Sequence, residues 1–172
     1  MPDQRDFYPH YIPEVTTDLS NMEGDGCHML YRHWDNLRQG RDMPASTDFS
    51  LMDVYKIAPR LILLDVVHAD DGQIRHLYRF VGTKIVDYRR RRHVPEPDHT
   101  GKYADEATRY FTPAPVSEFY IQCTELARPL LAFGVFKTET KVDLHERLAL
   151  PLSDNTGAVH RLIVCVHRPK DL

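Results

Sequence analysis

Two strand-like segments joined by a short turn constrain the fold of this chain more than any other feature. Residues 61–67 are a near-continuous apolar run, and residues 74–82 alternate between two faces. Between them, Asp71 and Gly72 form a pair that tolerates positive φ in a tight turn. The pattern predicts a β-hairpin and therefore an antiparallel sheet.

Three further strands are predicted in the last third of the chain. They cover residues 130–138, 142–152 and 159–167, with a turn at 154–157 between the last two. Sequential strands of this kind form an antiparallel meander. An apolar stripe that begins after Pro113 and Pro115 predicts a helix in the middle of the chain, and a helix needs one face of the sheet to bury its stripe. We therefore expect a two-layer α+β fold with a five-stranded antiparallel sheet and helices on one face.

A separate amphipathic helix is predicted over residues 26–39, outside this core. Leu30, Trp34 and Leu37 share its apolar face. Residues 1–24 contain three prolines and no periodicity, so we interpret them as an N-terminal extension. A chain of 172 residues fits one domain, which we place at 25–168, with 169–172 as a C-terminal tail.

The composition argues against several classes of protein. The net charge of −3 gives no global attraction to nucleic acid or to an anionic membrane. No apolar run approaches the roughly 20 residues that span a bilayer, and the N-terminus lacks the apolar core of a secretory signal. The three cysteines are widely spaced, which argues against a disulfide framework. We expect a cytoplasmic protein.

Four segments resemble motifs of PAS domains, in particular the bacterial group that often occurs as short stand-alone proteins. Residues 34–44 match W-x-x-L-R-x-G-R-x-M-P, and residues 78–83 match an aromatic-R-x-V-G-T strand. Thr100-Gly101 matches a T-G turn, and residues 146–152 match E-R-L-x-L-P-L. The order of predicted elements, two strands, helices and three strands, is also that of PAS domains.

This resemblance implies a sensory or regulatory domain that binds a small molecule or a signalling protein, without catalytic activity. In PAS proteins a helix outside the core packs on the outer face of the sheet or against a second subunit. We therefore expect a homodimer with Leu30, Trp34 and Leu37 as candidate interface residues. Since no output domain is recognised in this sequence, a signal is expected to leave through a protein contact. The resemblance names no ligand, and the cofactor stays unknown.

Candidate pocket residues come from several elements. The aromatic candidates could line an apolar cavity or simply pack in a core: Tyr78, Phe80, Tyr88, Phe119 and Phe133. Glu146 lies on an apolar strand face and needs a partner, which Arg79 could supply. This pair is either a structural ion pair or a polar anchor for a ligand.

Two other functions remain open at this point. A small enzyme could use Glu146, Arg147 and a histidine, although no catalytic motif supports it. Nucleic acid could bind Arg89–Arg92, although a solvated loop is the simpler interpretation of one short basic run. The ten histidines show no metal-ligand spacing, so no metal site is predicted; some PAS domains do hold haem through a histidine.

Overall fold

A six-stranded antiparallel sheet forms the centre of the computed structural model, which describes residues 14–107, 113–137 and 142–168. Its strands are β1 (Glu14–Thr16), β2 (Leu61–His68), β3 (Ile74–Val81), β4 (Leu130–Lys137), β5 (Val142–Ser153) and β6 (Val159–His167). Their order across the sheet is β1-β4-β5-β6-β2-β3. The hairpin β2–β3 and the meander β4–β5–β6 agree with the strands predicted from the sequence.

The sheet has one strand more than the five predicted. Residues 14–16, which the sequence places in the extension, pair with residues 131–133 of β4 at the edge of the sheet. Three residues are too few to show an alternating pattern in the sequence. The predicted division into extension, domain and tail stays a prediction.

Helices cover both faces of the sheet, so the fold has three layers rather than two. Helix α1 (Asp25–Arg38) packs on β5 and β6, and three short 3-10 turns follow it at Ser46–Asp48, Leu51–Val54 and Ala58–Arg60. The opposite face carries α2 (Thr83–Arg91), α3 (Ala104–Ala107) and α4 (Pro113–Leu126). We call the two sides the α1 face and the α4 face.

Strand β5 shows how the sequence divides its residues between these faces. Because successive side chains on a strand point to opposite sides, Glu146 and Leu148 point to the α1 face, whereas His145 and Arg147 point to the α4 face. Arg147 donates a hydrogen bond to Tyr120 of α4, and Glu146 accepts one from Gly24, the N-cap of α1. No helix in the described part of the chain is both long and apolar enough to cross a membrane.

Candidate functional site

Polar side chains are concentrated on the α4 face, where a core is ordinarily apolar. We call this group the polar cluster; it comprises Tyr78, Arg89, His99, Tyr120, His145 and Arg147. Strand β3 supplies the tyrosine at its centre, and α2 and α4 cover it with one residue each. All of them are buried except Arg147, which is half-buried.

Arg147 and Tyr120 form the part of the polar cluster that joins β5 to α4. The Arg147 guanidinium donates to the Tyr120 hydroxyl at 2.5 Å and lies 5.9 Å from the centre of its ring. Tyr120 itself is completely buried. A charged donor held in a sheltered position by an aromatic hydroxyl makes a strong, directional contact.

Arg89 is the second cation of the polar cluster, and it is buried. It lies in the last turn of α2, where the helix dipole favours positive charge. Its guanidinium donates to the Pro97 carbonyl at 3.2 Å and lies 5.9 Å from the centre of the Tyr78 ring. Burial and the nearby Arg147 lower the pKa of Arg89.

The Tyr78 hydroxyl is buried in the middle of this group. Burial, with the neighbouring Tyr120 as a smaller cause, raises the pKa of Tyr78 well above its usual value, while Arg89 and Arg147 act in the opposite direction. Among the described residues, the hydroxyl makes no hydrogen bond of ordinary geometry, and the nearby Tyr120 and Arg89 side chains interact with it only weakly. Leaving a buried hydroxyl unsatisfied costs about 1–3 kcal/mol, so this atom calls for an explanation.

Buried histidines surround the same region and are held neutral. Burial, reinforced by nearby arginines, lowers the pKa of His99 to about 3 and that of His145 to about 2. Burial also lowers the pKa of His76 to about 4, and this ring contacts the Thr124 hydroxyl at 2.8 Å. The described residues contain no group of three or more histidine, cysteine or acidic side chains placed to hold a metal ion.

The predicted aromatic pocket residues do not all meet on one face. Tyr78 and Phe119 are buried on the α4 side, and Tyr88 on α2 borders a cleft next to it. Phe133 pairs with Glu146 across β4 and β5, so it lies on the α1 face. Phe80 also lies on the α1 face, so the alternation predicted over residues 74–82, which puts Phe80 on the same face as Tyr78, is wrong at this position.

A β-bulge explains the position of Phe80. Leu63 pairs with Phe80 and Leu64 pairs with Tyr78, which leaves Arg79 as an extra residue without a partner in the register. One extra residue reverses the alternation of every side chain beyond it. The alternation predicted from the sequence therefore holds for His76 and Tyr78 and fails after them.

The predicted contact between Glu146 and Arg79 is also wrong. Glu146 is buried, and its two carboxylate oxygens accept the backbone N–H groups of Glu23 at 2.7 Å and Gly24 at 2.9 Å. Arg79 is exposed and pairs with Asp65. Glu146 therefore fastens the start of α1 to the sheet and does not face the polar cluster.

The candidate interface residues lie largely inside the chain. Leu30 and Trp34 are buried against the α1 face, where the Trp34 indole donates to the Pro151 carbonyl at 2.8 Å, and Leu37 is half-buried. Of the two placements expected for this helix, the structure has the one on the outer face of its own sheet. The homodimer stays a prediction, but buried Leu30 and Trp34 do not support it.

Of the polar cluster, sequence reasoning proposed only Tyr78 as a pocket residue, and it named Arg89 and Arg147 for other functions. Arg89 was grouped with its neighbours as part of a solvated loop, whereas Thr83–Arg91 is helical and Arg89 is buried. Tyr120 lies on the predicted apolar stripe of α4, which gave no reason to single out its hydroxyl. The alternation of β5 was the one sequence signal for this site. It puts Arg147 and Glu146 on opposite faces of the sheet, and hence puts Arg147 on the face that α4 covers.

The chain has a distant structural neighbour and matches no known protein family. No protein-family model and no curated protein matches the chain. Among solved structures, an RNA-binding light-oxygen-voltage receptor superposes on 93% of the chain with a TM-score of 0.45 and 12% sequence identity. The chain spans 39% of that receptor's length. A likeness this distant implies nothing about what the present chain binds.

Proposed function

We propose that this chain is a PAS-like sensory domain that binds a small molecule on the α4 face of its sheet, without catalytic activity. The buried Tyr78 hydroxyl carries the proposal, since it makes no hydrogen bond of ordinary geometry among the described residues and lies close to two arginines and a second tyrosine. A ligand oxygen or nitrogen at this point would satisfy it. Binding sites characteristically combine an apolar wall with a few convergent polar groups of this kind.

The roles of the motif residues support a PAS-like fold. The Trp34 indole of the first motif donates to the carbonyl of Pro151 in the last motif. The Thr100-Gly101 turn lies against β3, where Gly101 donates to the Tyr78 carbonyl and Tyr78 donates to the Lys102 carbonyl. The motif segments that resemble the PAS group therefore contact one another around the sheet.

The glycine of the second-strand motif has a specific steric role. A Cβ atom on Gly82 would lie 2.3 Å from the Pro59 carbonyl oxygen, which is too close for any other residue. Gly82 also donates to the Leu61 carbonyl and is the N-cap of α2. The motif glycine thus joins the hairpin to the helix that carries Arg89.

A ligand could change the domain by moving α2 or α4. The polar cluster is covered by both helices, so a ligand that contacts Tyr78 needs them to shift, and it would favour whichever arrangement it binds more tightly. A partner protein that contacts these helices would then detect the change. This is how a domain without catalytic residues can transmit a signal.

The enzyme alternative is not favoured, because its residues lie on different sides of the sheet. Glu146 is occupied by two backbone N–H groups on the α1 face, whereas Arg147 contacts Tyr120 on the α4 face. Two side chains separated by a sheet cannot act on one substrate. The two buried histidines of the polar cluster, His99 and His145, are held neutral with strongly lowered pKa values, which does not suit acid–base chemistry near pH 7.

Nucleic-acid binding through Arg89–Arg92 is also not favoured. Arg89 is buried, Arg90 pairs with Asp87 at 2.7 Å, and Arg92 lies 5.2 Å from the centre of the Tyr88 ring. The side chains of the arginine run therefore have different surroundings, and Arg91 is exposed. They do not form the continuous exposed stripe that contacts successive phosphates.

Native mass spectrometry of the protein as purified tests the proposal, with a denatured sample to give the bare chain mass. We expect a mass excess that is lost on denaturation and is reduced in Tyr78→Phe. Tyr55→Phe is the matched control, because Tyr55 is 61% exposed and lies in the segment that follows α1. A purified protein without any mass excess, and without a thermal shift against a metabolite library, would refute ligand binding on this face.

A further inference from the structure

A cleft of about 400 Å³ opens between α2, the end of β6 and the turn before β2. Ile85 and Val166 form its apolar part. Four cationic side chains line the rest: Arg60, Lys84, Arg91 and Arg168. We call this feature the cationic cleft; it adjoins the polar cluster, because α2 contributes to both.

The charge in the cationic cleft is opposite to that of the whole chain. Asp87 is the one acidic residue among the described residues that line it, and its carboxylate pairs with Arg90 at 2.7 Å. The chain as a whole has a net charge of −3. Four cations gathered in a concave site within an acidic protein create a local field that attracts anions.

The four cations lie on or directly beside elements of regular secondary structure. Lys84 and Arg91 lie seven residues apart on α2, which puts them on the same side of that helix. The Arg168 guanidinium stacks on the Tyr88 ring, and Arg60 contacts the His167 ring at 3.4 Å. Burial and neighbouring arginines lower the pKa of Arg168, so a bound anion would relieve repulsion that the ligand-free fold has to bear.

We infer that the cationic cleft binds a phosphorylated small molecule. Guanidinium groups match the oxygens of a phosphate bidentately, and several of them in one cleft favour a group with more than one negative charge. The volume is near the lower end of the range for small-molecule pockets. It holds a pyrophosphate or a mononucleotide and is too small for a folded nucleic acid.

This site would also connect ligand binding with the polar cluster. Arg168 interacts electrostatically with Arg89 and Arg147 of the cluster, and α2 carries Arg91 in the cleft and Arg89 in the interior. An anion that draws Arg91 inward would act on the same helix that covers Tyr78. Only this consequence depends on the proposed function; the cleft is an anion site whether or not Tyr78 contacts a ligand.

Isothermal titration of the full chain with pyrophosphate and with AMP tests the inference, at 50 and 200 mM NaCl. We expect saturable one-to-one binding that weakens with salt. In Lys84→Gln/Arg91→Gln the affinity should fall about tenfold or more, because two charged contacts are lost. Both side chains are exposed, so the fold should tolerate the change.

Arg32→Gln/Lys56→Gln is the matched control, because it removes two exposed cations away from the cationic cleft. Its affinity should stay within about twofold of wild type. The inference is overturned if neither probe binds saturably, or if the control loses as much affinity as the cleft variant. It is also overturned if a single-stranded RNA binds more tightly than both small probes and this binding is lost in the cleft variant.

The two proposals fail in different ways. Suppose that the purified protein retains a neutral molecule, that Tyr78→Phe loses it, and that pyrophosphate and AMP do not bind. This result would support ligand binding at the polar cluster and would overturn phosphate binding in the cationic cleft. Conversely, phosphate binding that depends on Lys84 and Arg91 but not on Tyr78 would support the cationic cleft. In that case the polar cluster would lose its proposed role.

Discussion

At the scale of single residues, the buried Tyr78 hydroxyl gives the clearest expectation. Tyr78→Phe removes a polar atom that makes no hydrogen bond of ordinary geometry among the described residues while keeping the ring. We expect the free energy of unfolding of the ligand-free protein to rise by about 1–2 kcal/mol, because the desolvation cost disappears. Urea denaturation followed by far-ultraviolet circular dichroism measures this change.

Tyr120→Phe is the matched comparison, since it makes the same chemical change at a hydroxyl that accepts a hydrogen bond from Arg147. It should lower the free energy of unfolding by about 1–3 kcal/mol, because it removes the partner of a charged donor. If both variants were destabilised equally, Tyr78 would have a partner in the folded protein and would no longer indicate a ligand.

At the scale of elements, Glu146 fixes the start of α1 to β5. In Glu146→Gln an NH2 group replaces one carboxylate oxygen. This donor would then face another donor, the backbone N–H of Glu23 or Gly24, and one hydrogen bond would be lost. We expect the free energy of unfolding to fall by about 1–3 kcal/mol, and the first amides of α1 to exchange hydrogen faster. Glu125→Gln on the exposed side of α4 should change neither measurement.

The junction between the β2–β3 hairpin and α2 depends on Gly82. In Gly82→Ala the new Cβ would lie 2.3 Å from the Pro59 carbonyl oxygen, so the backbone has to move at a cost of about 3 kcal/mol or more. Gly26→Ala is the control: its Cβ would lie 3.5 Å from the nearest atom, and alanine favours the helix. Thermal unfolding distinguishes the two, and equal melting temperatures would contradict the steric role of Gly82.

The elements differ in how far they could be predicted from the sequence. The hairpin and the meander were predictable, because alternation and turn residues are local properties of the chain. The bounds of helix α2 could not be predicted, because its apolar stripe, which begins at Ile85, is short and is followed by four consecutive arginines. The reversal at Phe80 depends on the bulge at Arg79, which is decided by how β3 pairs with β2 and leaves no mark in the sequence of β3 alone.

At the scale of the whole molecule, the two faces of the sheet have different chemistry. The α1 face is covered by the apolar side of an amphipathic helix, which includes a tryptophan, and it holds one carboxylate that binds backbone N–H groups. The α4 face holds cations, tyrosines and neutral histidines. Composition could not predict this division, because it depends on which side of each strand faces which helix. It explains why the candidate site lies under α2 and α4 and not beside Glu146.

The neutral histidines make the stability of the molecule depend on pH. His76, His99 and His145 have pKa values of about 4, 3 and 2 in the folded protein and an ordinary value of 6.5 when unfolded. Below pH 6.5 the unfolded chain therefore binds protons that the folded protein excludes, so the free energy of unfolding falls as the pH falls. Each histidine contributes up to about 1.4 kcal/mol per pH unit between its unfolded and folded pKa.

Urea denaturation at half-unit steps from pH 7 to about 5.5 measures this dependence above the range in which most carboxylates titrate. His76→Gln should remove about one third of the slope, because glutamine can still bond to Thr124 but binds no proton. A stability that is flat from about pH 6.5 to 5.5 would mean that the three histidines are protonated in the folded protein, and the α4 face would then be open to water.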